Sequence, residues 1–85
     1  MITTAILNWE TLQVLRFTPS SGATVPTASI FTIAREANLT PHQVKDVMDA
    51  LVALDYVKAY RTRYGTEYAR TSRGDRRFYD TAKRR

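Results

Sequence analysis

The chain contains no cysteine and only one histidine, His42. The absence of cysteine excludes disulfides, thiolate metal sites and a cysteine nucleophile together. No acid or nucleophile is predictably placed beside His42, and the sequence has no glycine-rich phosphate loop. The carboxylates are scattered over faces expected to be exposed. We therefore expect a protein that is not an enzyme and that holds neither a metal ion nor a cofactor.

Long apolar runs are also missing. A bilayer-spanning helix needs roughly 20 apolar residues, and no run in this sequence approaches that length. The first ten residues, MITTAILNWE, lack the basic start and continuous apolar stretch of a secretory signal. These features predict a soluble, cytoplasmic protein with no membrane partner. A length of 85 residues predicts one small domain over 1–85, with a core at about 8–80 and a basic tail at 81–85.

The basic residues are concentrated in the last third of the chain. Residues 1–57 contain three Lys or Arg against five acids, a net charge of −2, whereas residues 58–85 contain ten against three, a net charge of +7. Such a gradient is typical of a protein that binds a polyanion, with nucleic acid favoured over a membrane surface. A basic tail that serves only solubility is the alternative.

The first two predicted helices begin at polar caps. Asn8 is a good N-cap for the helix WETLQVLRF, in which Trp9, Leu12 and Leu15 share a face and Trp9 is expected in the core. Thr27 is expected to cap a second helix through about residue 37. Its apolar stripe comprises Ile30, Ile33, Ala34 and Ala37. Phe31 falls off that stripe and indicates an exposed patch for a partner or a second subunit.

A third helix is predicted to start at Thr40 and Pro41, an N-cap followed by a first-turn proline, and to end near Leu54. Its periodicity places one set of side chains inward: Val44, Val47, Met48, Leu51, Val52 and Leu54. A second set is expected to stay outside: His42, Gln43, Lys45, Asp46 and Asp49.

The region after the third helix alternates in side-chain type. VKAYRTR at 57–63 and EYAR at 67–70 predict two strands joined by a hairpin turn at Tyr64, Gly65 and Thr66. Either Thr71 or Ser72 can then cap a last helix, with Phe78 and Tyr79 expected inside.

This order of elements, with IAREANLTPHQVKDVMDALVALDYV leading directly into a hairpin, resembles the winged helix-turn-helix family of DNA-binding regulators. The resemblance covers roughly residues 8–77 and implies a mainly α fold with a small β-hairpin wing: a three-helix core, an antiparallel hairpin and a C-terminal helix. In such proteins the third helix enters the major groove, and the wing lies along the backbone or in the minor groove. The chain departs from the pattern at Asp55, where the family often has glycine, and at Asp46 and Asp49.

The start of the third helix provides the first candidate contacts. Gln43 can pair with adenine and Lys45 with guanine, and His42 lies in the same turn and a half. Thr40 is expected first to cap the helix, a role that can coexist with a phosphate contact. An ordinary solvated face is the alternative for these residues, because Asp46 and Asp49 bring negative charge towards the phosphates.

The wing provides the second set. Four arginines crowd around one short hairpin, and a polyanion would relieve their mutual repulsion: Arg61, Arg63, Arg70 and Arg73. Blunting of the sheet edge is the alternative role for them. Tyr60, Tyr64 and Tyr68 are expected to pack across the strands, with base stacking as their alternative role.

Together these features predict a transcriptional regulator that binds double-stranded DNA. Regulators of this type are often two-fold dimers, here expected through the first and last helices or Phe31, and the small size is like that of phage or viral regulators. The alternative is a winged-helix-shaped module that docks on a protein, such as a phage-encoded inhibitor of a host nucleic-acid machine. Acidic residues on the third helix favour that alternative.

Overall fold

The computed structural model describes residues 9–22 and 27–83, and the side chains up to residue 80. Its elements are α1 (Trp9–Phe17), β1 (Ala28–Ser29), α2 (Ile30–Ala37), α3 (Pro41–Ala53), β2 (Val57–Thr62), β3 (Gly65–Arg70) and α4 (Ser72–Lys83). Four helices and a three-stranded antiparallel sheet form a mixed α+β fold, and their arrangement fits a winged helix. Asn8, the expected cap of α1, lies outside the described residues. None of the described helices is long and apolar enough to span a membrane.

The core lies where α1, α2 and α3 meet the base of the sheet. Its buried side chains are Val14, Leu15, Ile33, Ala34, Val44, Met48, Leu51, Val57 and Tyr68. Burial of a single leucine here contributes about 2 kcal/mol. The predicted stripe of α2 is confirmed, because Ile33, Ala34 and Ala37 are buried and Ile30 packs against the core.

Trp9 is not part of this core, and its side chain is 63% exposed. The buried face of α1 is centred on Val14 and Leu15. At about 100° per residue, Trp9 points roughly 140° away from Val14 and about 120° away from Leu15 in the other direction, so it lies on nearly the opposite side of the helix. The prediction that Trp9 belongs to the core is therefore wrong, because Trp9 lies on a different face of α1 from the one that is buried.

The second helix begins two residues later than predicted. Ser29, not Thr27, is its N-cap, and the Ser29 hydroxyl accepts a hydrogen bond from the Thr32 backbone N–H at 3.2 Å. The extended chain before the helix forms β1, in which Ala28 pairs with Tyr68. Thr27 instead donates its hydroxyl hydrogen to Glu67 at 2.5 Å. This short strand was missed because two residues carry no recognisable alternation.

The third helix begins as predicted. Asn38 adopts a left-handed conformation (φ 60°), and Thr40 caps α3 with a proline in its first turn. Of the side chains expected inward, Val52 is exposed, because it lies in the last turn at the edge of the stripe. Asp55 also adopts the left-handed conformation (φ 64°), which aspartate enters more readily than most residues other than glycine.

The sheet has the order β1-β3-β2. The β2–β3 hairpin is tighter than predicted: Thr62 pairs with Gly65, so only Arg63 and Tyr64 form the turn. Neither turn residue has a positive φ, and the positive φ falls on Gly65 at 118°. The Thr62 hydroxyl accepts from the Tyr64 N–H (3.1 Å) and donates to the Gly65 carbonyl (2.8 Å), which closes the turn.

Thr71 begins α4. Its hydroxyl accepts from the Gly74 N–H at 3.0 Å and donates to the Asp55 carbonyl at 2.7 Å. Phe78 packs against the core as expected, whereas Tyr79 is 55% exposed. Neighbouring residues on a helix point about 100° apart, so Tyr79 is turned away from the core that Phe78 contacts.

Candidate nucleic-acid interface

The far end of the hairpin, residues 61–65, consists of exposed residues and is called the wing tip below. It carries Arg61 and Arg63, and Tyr64 between the strands is 85% exposed. Within residues 9–22 and 27–83, no ion pair engages either arginine. Two cationic side chains at the wing tip are therefore available to an external anion.

Arg61 projects from the side of the hairpin on which α3 lies. Directly opposed residues of an antiparallel pair share a face, and side chains alternate along each strand, so Arg61 shares a face with Ala59 and with Tyr68. Tyr68 is buried in the core and lies close enough to Lys45 on α3 to influence its charge. Arg61 and the outer face of α3 therefore border the same side of the molecule.

The charged side chains on the outer face of α3 are paired with one another. Lys45 Nζ donates to both carboxylate oxygens of Asp49, each at 3.0 Å. His42 Nε2 lies 3.7 Å from Asp46 Oδ2, an ion pair only when the histidine is protonated. All four side chains are more than half exposed. This face therefore offers little net positive charge to a polyanion.

The pairing with Asp49 raises the pKa of Lys45 above its ordinary value of 10.5. The hydrogen bonds to Asp49 are the largest cause, followed by the charge of that carboxylate, with smaller contributions in the same direction from Tyr68 and Asp46. A raised lysine pKa means that the pairing is fully present below pH 10.5 and is lost only as the pH rises through the folded-state value. Lys45 is thus charged at any physiological pH.

Thr40 and Gln43 are occupied in capping α3. The Thr40 hydroxyl accepts from the Gln43 N–H (3.1 Å), and the Gln43 side-chain oxygen accepts from the Thr40 N–H (2.9 Å). The Gln43 amide nitrogen also donates to Glu10 on α1 at 3.2 Å. A base contact by Gln43 therefore requires loss of these hydrogen bonds.

Arg70 does not join the predicted basic surface. It is 8% exposed, and its Nε lies 2.9 Å from Asp75 Oδ1, an ion pair without the alignment of a hydrogen bond. Its backbone N–H donates to the Pro19 carbonyl (2.7 Å), and its guanidinium carbon lies 4.9 Å from the Phe78 ring centre. The other Asp75 oxygen accepts from Ser20 at 2.9 Å. Arg70 is a structural residue that joins α4 to the segment after α1.

Arg73 is exposed but lies at the base of the hairpin. Its guanidinium carbon is 5.6 Å from the Tyr56 ring centre. The sequence analysis did not identify the residues that surround Arg73. A recess of about 200 Å³ is lined by Tyr56 and by four residues of α4: Arg73, Arg76, Arg77 and Asp80. Their i, i+3, i+4, i+7 spacing is the signal that could have revealed a shared helix face.

The tyrosines of the hairpin separate into three environments. Tyr68 is a core residue, as the packing interpretation predicts. Tyr60 is partly exposed and has the Lys58 ammonium 5.5 Å from its ring centre. Tyr64 is in the turn and does not pack across the strands, which corrects the prediction for that residue.

Comparisons of the chain with protein-family models, with curated proteins and with solved structures found no match.

Proposed function

We propose that the protein binds double-stranded DNA and acts in the cytoplasm as a transcriptional regulator, with the wing tip on the phosphate backbone or in the minor groove. The observation that carries this proposal is a pair of arginines, Arg61 and Arg63, at the end of an exposed hairpin beside α3. Neither forms an ion pair within the part of the chain that the structure describes. Unpaired guanidinium groups on a narrow projection suit phosphate contacts and insertion into a narrow groove.

The N-terminal part of α3 supplies the weaker half of this interface. Lys45 and Asp49 form an exposed i,i+4 pair that solvent screens, so Lys45 can exchange its carboxylate for a phosphate at small cost. The carboxylates of Asp46 and Asp49 nevertheless remain beside the DNA. We therefore assign most of the binding free energy to the wing tip and only a modest sequence preference to His42 and Lys45.

A two-fold dimer belongs to this proposal. Phe31 on α2 is 73% exposed, as its position off the stripe predicts, and Trp9 and Tyr79 present further exposed aromatic area on α1 and α4. Exposed aromatic side chains of this kind are common in subunit contacts. Measurement of the mass in solution, for the parent chain and for Phe31→Ser, tests the assignment of Phe31 to the contact.

The DNA proposal is tested by fluorescence anisotropy with a labelled random-sequence duplex over a range of salt concentrations. Affinity should fall with salt by a log–log slope of about 0.9 for each phosphate neutralised. Arg61→Ala and Arg63→Ala should each reduce that slope by about 0.9. Arg16→Ala removes the same charge from an exposed position on α1 and should leave the slope unchanged. Absence of duplex binding at low salt contradicts the proposal.

The second candidate is a module that docks on a protein, such as a component of a host nucleic-acid machine. It is favoured by the outer face of α3, where two carboxylates accompany one lysine and one histidine. A surface of that charge suits a basic protein groove better than a DNA groove. A chain that fails to bind duplex but co-purifies with a host protein, and loses that protein on Asp46→Lys, would identify this function.

A further inference from the structure

One face of α4 brings three arginines together at a recess. Arg73, Arg76 and Arg77 line it with Asp80 and with Tyr56 from the chain between α3 and β2, and its volume is about 200 Å³. The recess thus contains three guanidinium groups and one carboxylate, a net charge of +2. Side chains at i, i+3 and i+4 lie on one helix face, so the helix itself brings these cations close to one another.

Close backbone packing holds the two walls of the recess together. A Cβ at Gly74 would lie 1.9 Å from the Tyr56 carbonyl oxygen, so only glycine permits this approach of α4. The Thr71 N–H donates to the same Tyr56 carbonyl at 3.0 Å, and the Thr71 hydroxyl donates to the Asp55 carbonyl. The first turn of α4 is therefore fixed against Tyr56, and the position of the arginine face follows from it.

We propose that this recess binds a phosphate group. Three adjacent guanidinium groups repel one another, and a dianion placed between them relieves that repulsion and matches the net charge of +2. Arginine presents its N–H groups as a planar fork that fits phosphate oxygens in pairs. The Tyr56 ring, with the Arg73 guanidinium carbon 5.6 Å from its centre, forms the wall that orients one of these forks.

The recess is separate from the wing tip. Tyr56 precedes Arg61 by five residues of extended chain, a distance of roughly 16 Å at about 3.3 Å per residue. Phosphate binding at the recess therefore stands whether or not the wing tip binds DNA. The phosphate can belong to a small phosphorylated molecule or to the DNA backbone, and the experiment below separates these two sources.

The test is an NMR titration of the full chain with inorganic phosphate, at constant ionic strength maintained with chloride. The Nε–Hε signals of Arg73 and Arg76 and the Gly74 amide should shift together and saturate. Arg76→Ala removes one exposed fork and should weaken phosphate binding about tenfold. Arg76→Lys, which keeps the charge but loses the fork, should recover only part of that affinity. Arg16→Ala, which removes an exposed arginine of α1 that belongs to neither site, is the matched control and should leave phosphate affinity unchanged.

The proposal is overturned if the shifts grow without saturation, if the wing arginines respond as strongly as those of α4, or if Arg76→Ala binds phosphate as well as the parent chain. The salt dependence of duplex binding by Arg76→Ala then shows which molecule supplies the phosphate. A salt slope lowered by about 0.9 assigns the site to a DNA phosphate. An unchanged slope, in a chain whose recess still binds inorganic phosphate, assigns it to a small phosphorylated molecule.

Discussion

The two ends of the β2–β3 hairpin use arginine in opposite ways. At the base, Arg70 is buried against Phe78 and paired with Asp75, and its backbone joins the segment after α1. At the tip, Arg61 and Arg63 are exposed, and no ion pair engages them within the described residues. One residue type therefore serves stability at one end and remains available for binding at the other. A count of basic residues along the chain does not distinguish these two roles. The contacts of each side chain in the fold distinguish them.

The largest expected effect is on folding stability at the base. Arg70→Ala leaves the Asp75 carboxylate without its cation in a mostly buried position, and we expect a loss of about 3 kcal/mol in the free energy of unfolding. Arg61→Ala should change it by less than about 0.5 kcal/mol, because surface substitutions rarely do more. Urea denaturation followed by circular dichroism measures both. Equal stability of the two variants would remove the distinction between the ends of the hairpin.

The next effect concerns the shape of the tip. Gly65 has a φ of 118°, which side chains rarely adopt, so Gly65→Ala should destabilise the fold by about 1–2 kcal/mol and weaken duplex binding with it. Gly22→Ala is the control, because a Cβ at either glycine would meet no atom within 4 Å, whereas only Gly65 of the two has a positive φ. Denaturation and anisotropy on both variants check the prediction. A Gly65→Ala chain as stable as Gly22→Ala would contradict the described turn.

A smaller effect should distinguish the tip from α3. Replacing Asp46 and Asp49 together by Asn removes two carboxylates and releases Lys45, and duplex binding should tighten several-fold, at about 0.5 kcal/mol for each charge. Asp55→Asn is the matched control: it removes an exposed carboxylate after the end of α3, and asparagine also tolerates the left-handed conformation. Unchanged duplex affinity in the double variant would show that this face of α3 does not approach DNA.

The smallest effect is the titration of Lys45. Asp49→Asn removes the largest cause of its raised pKa, so the pKa should fall back towards 10.5, while Asp46→Asn should lower it less. NMR titration of the lysine side-chain signals through the alkaline range measures both shifts. A Lys45 pKa that does not respond to Asp49→Asn would mean that the lysine is not held by Asp49 in solution.

The elements that local chemistry specifies could be predicted from the sequence. Thr40 and Pro41 mark the start of α3 through the capping hydroxyl and a proline that needs no hydrogen-bond acceptor. The apolar stripe of α2 and the two strands of the hairpin follow from periodicity alone. These features depend on residues within a few positions of each other, where sequence patterns carry physical information.

The errors depend on distant contacts. Arg70 resembles the other hairpin arginines in the sequence, and only the fold brings Asp75, Ser20 and Phe78 around it. Ser29 replaces Thr27 as the cap of α2 because the chain at Ala28 pairs with β3, a contact about 40 residues away. Availability of a charged side chain is therefore a property of the tertiary structure.

The Gly74–Tyr56 contact has a mechanical consequence. Because the helix backbone rests on the carbonyl oxygen of Tyr56, any rocking of the hairpin at its root must carry the first turn of α4 with it. The β2–β3 hairpin and α4 are thus expected to move as one unit about the Tyr56 peptide group. A ligand that bends the hairpin would therefore also displace the arginines that line the recess beside Tyr56.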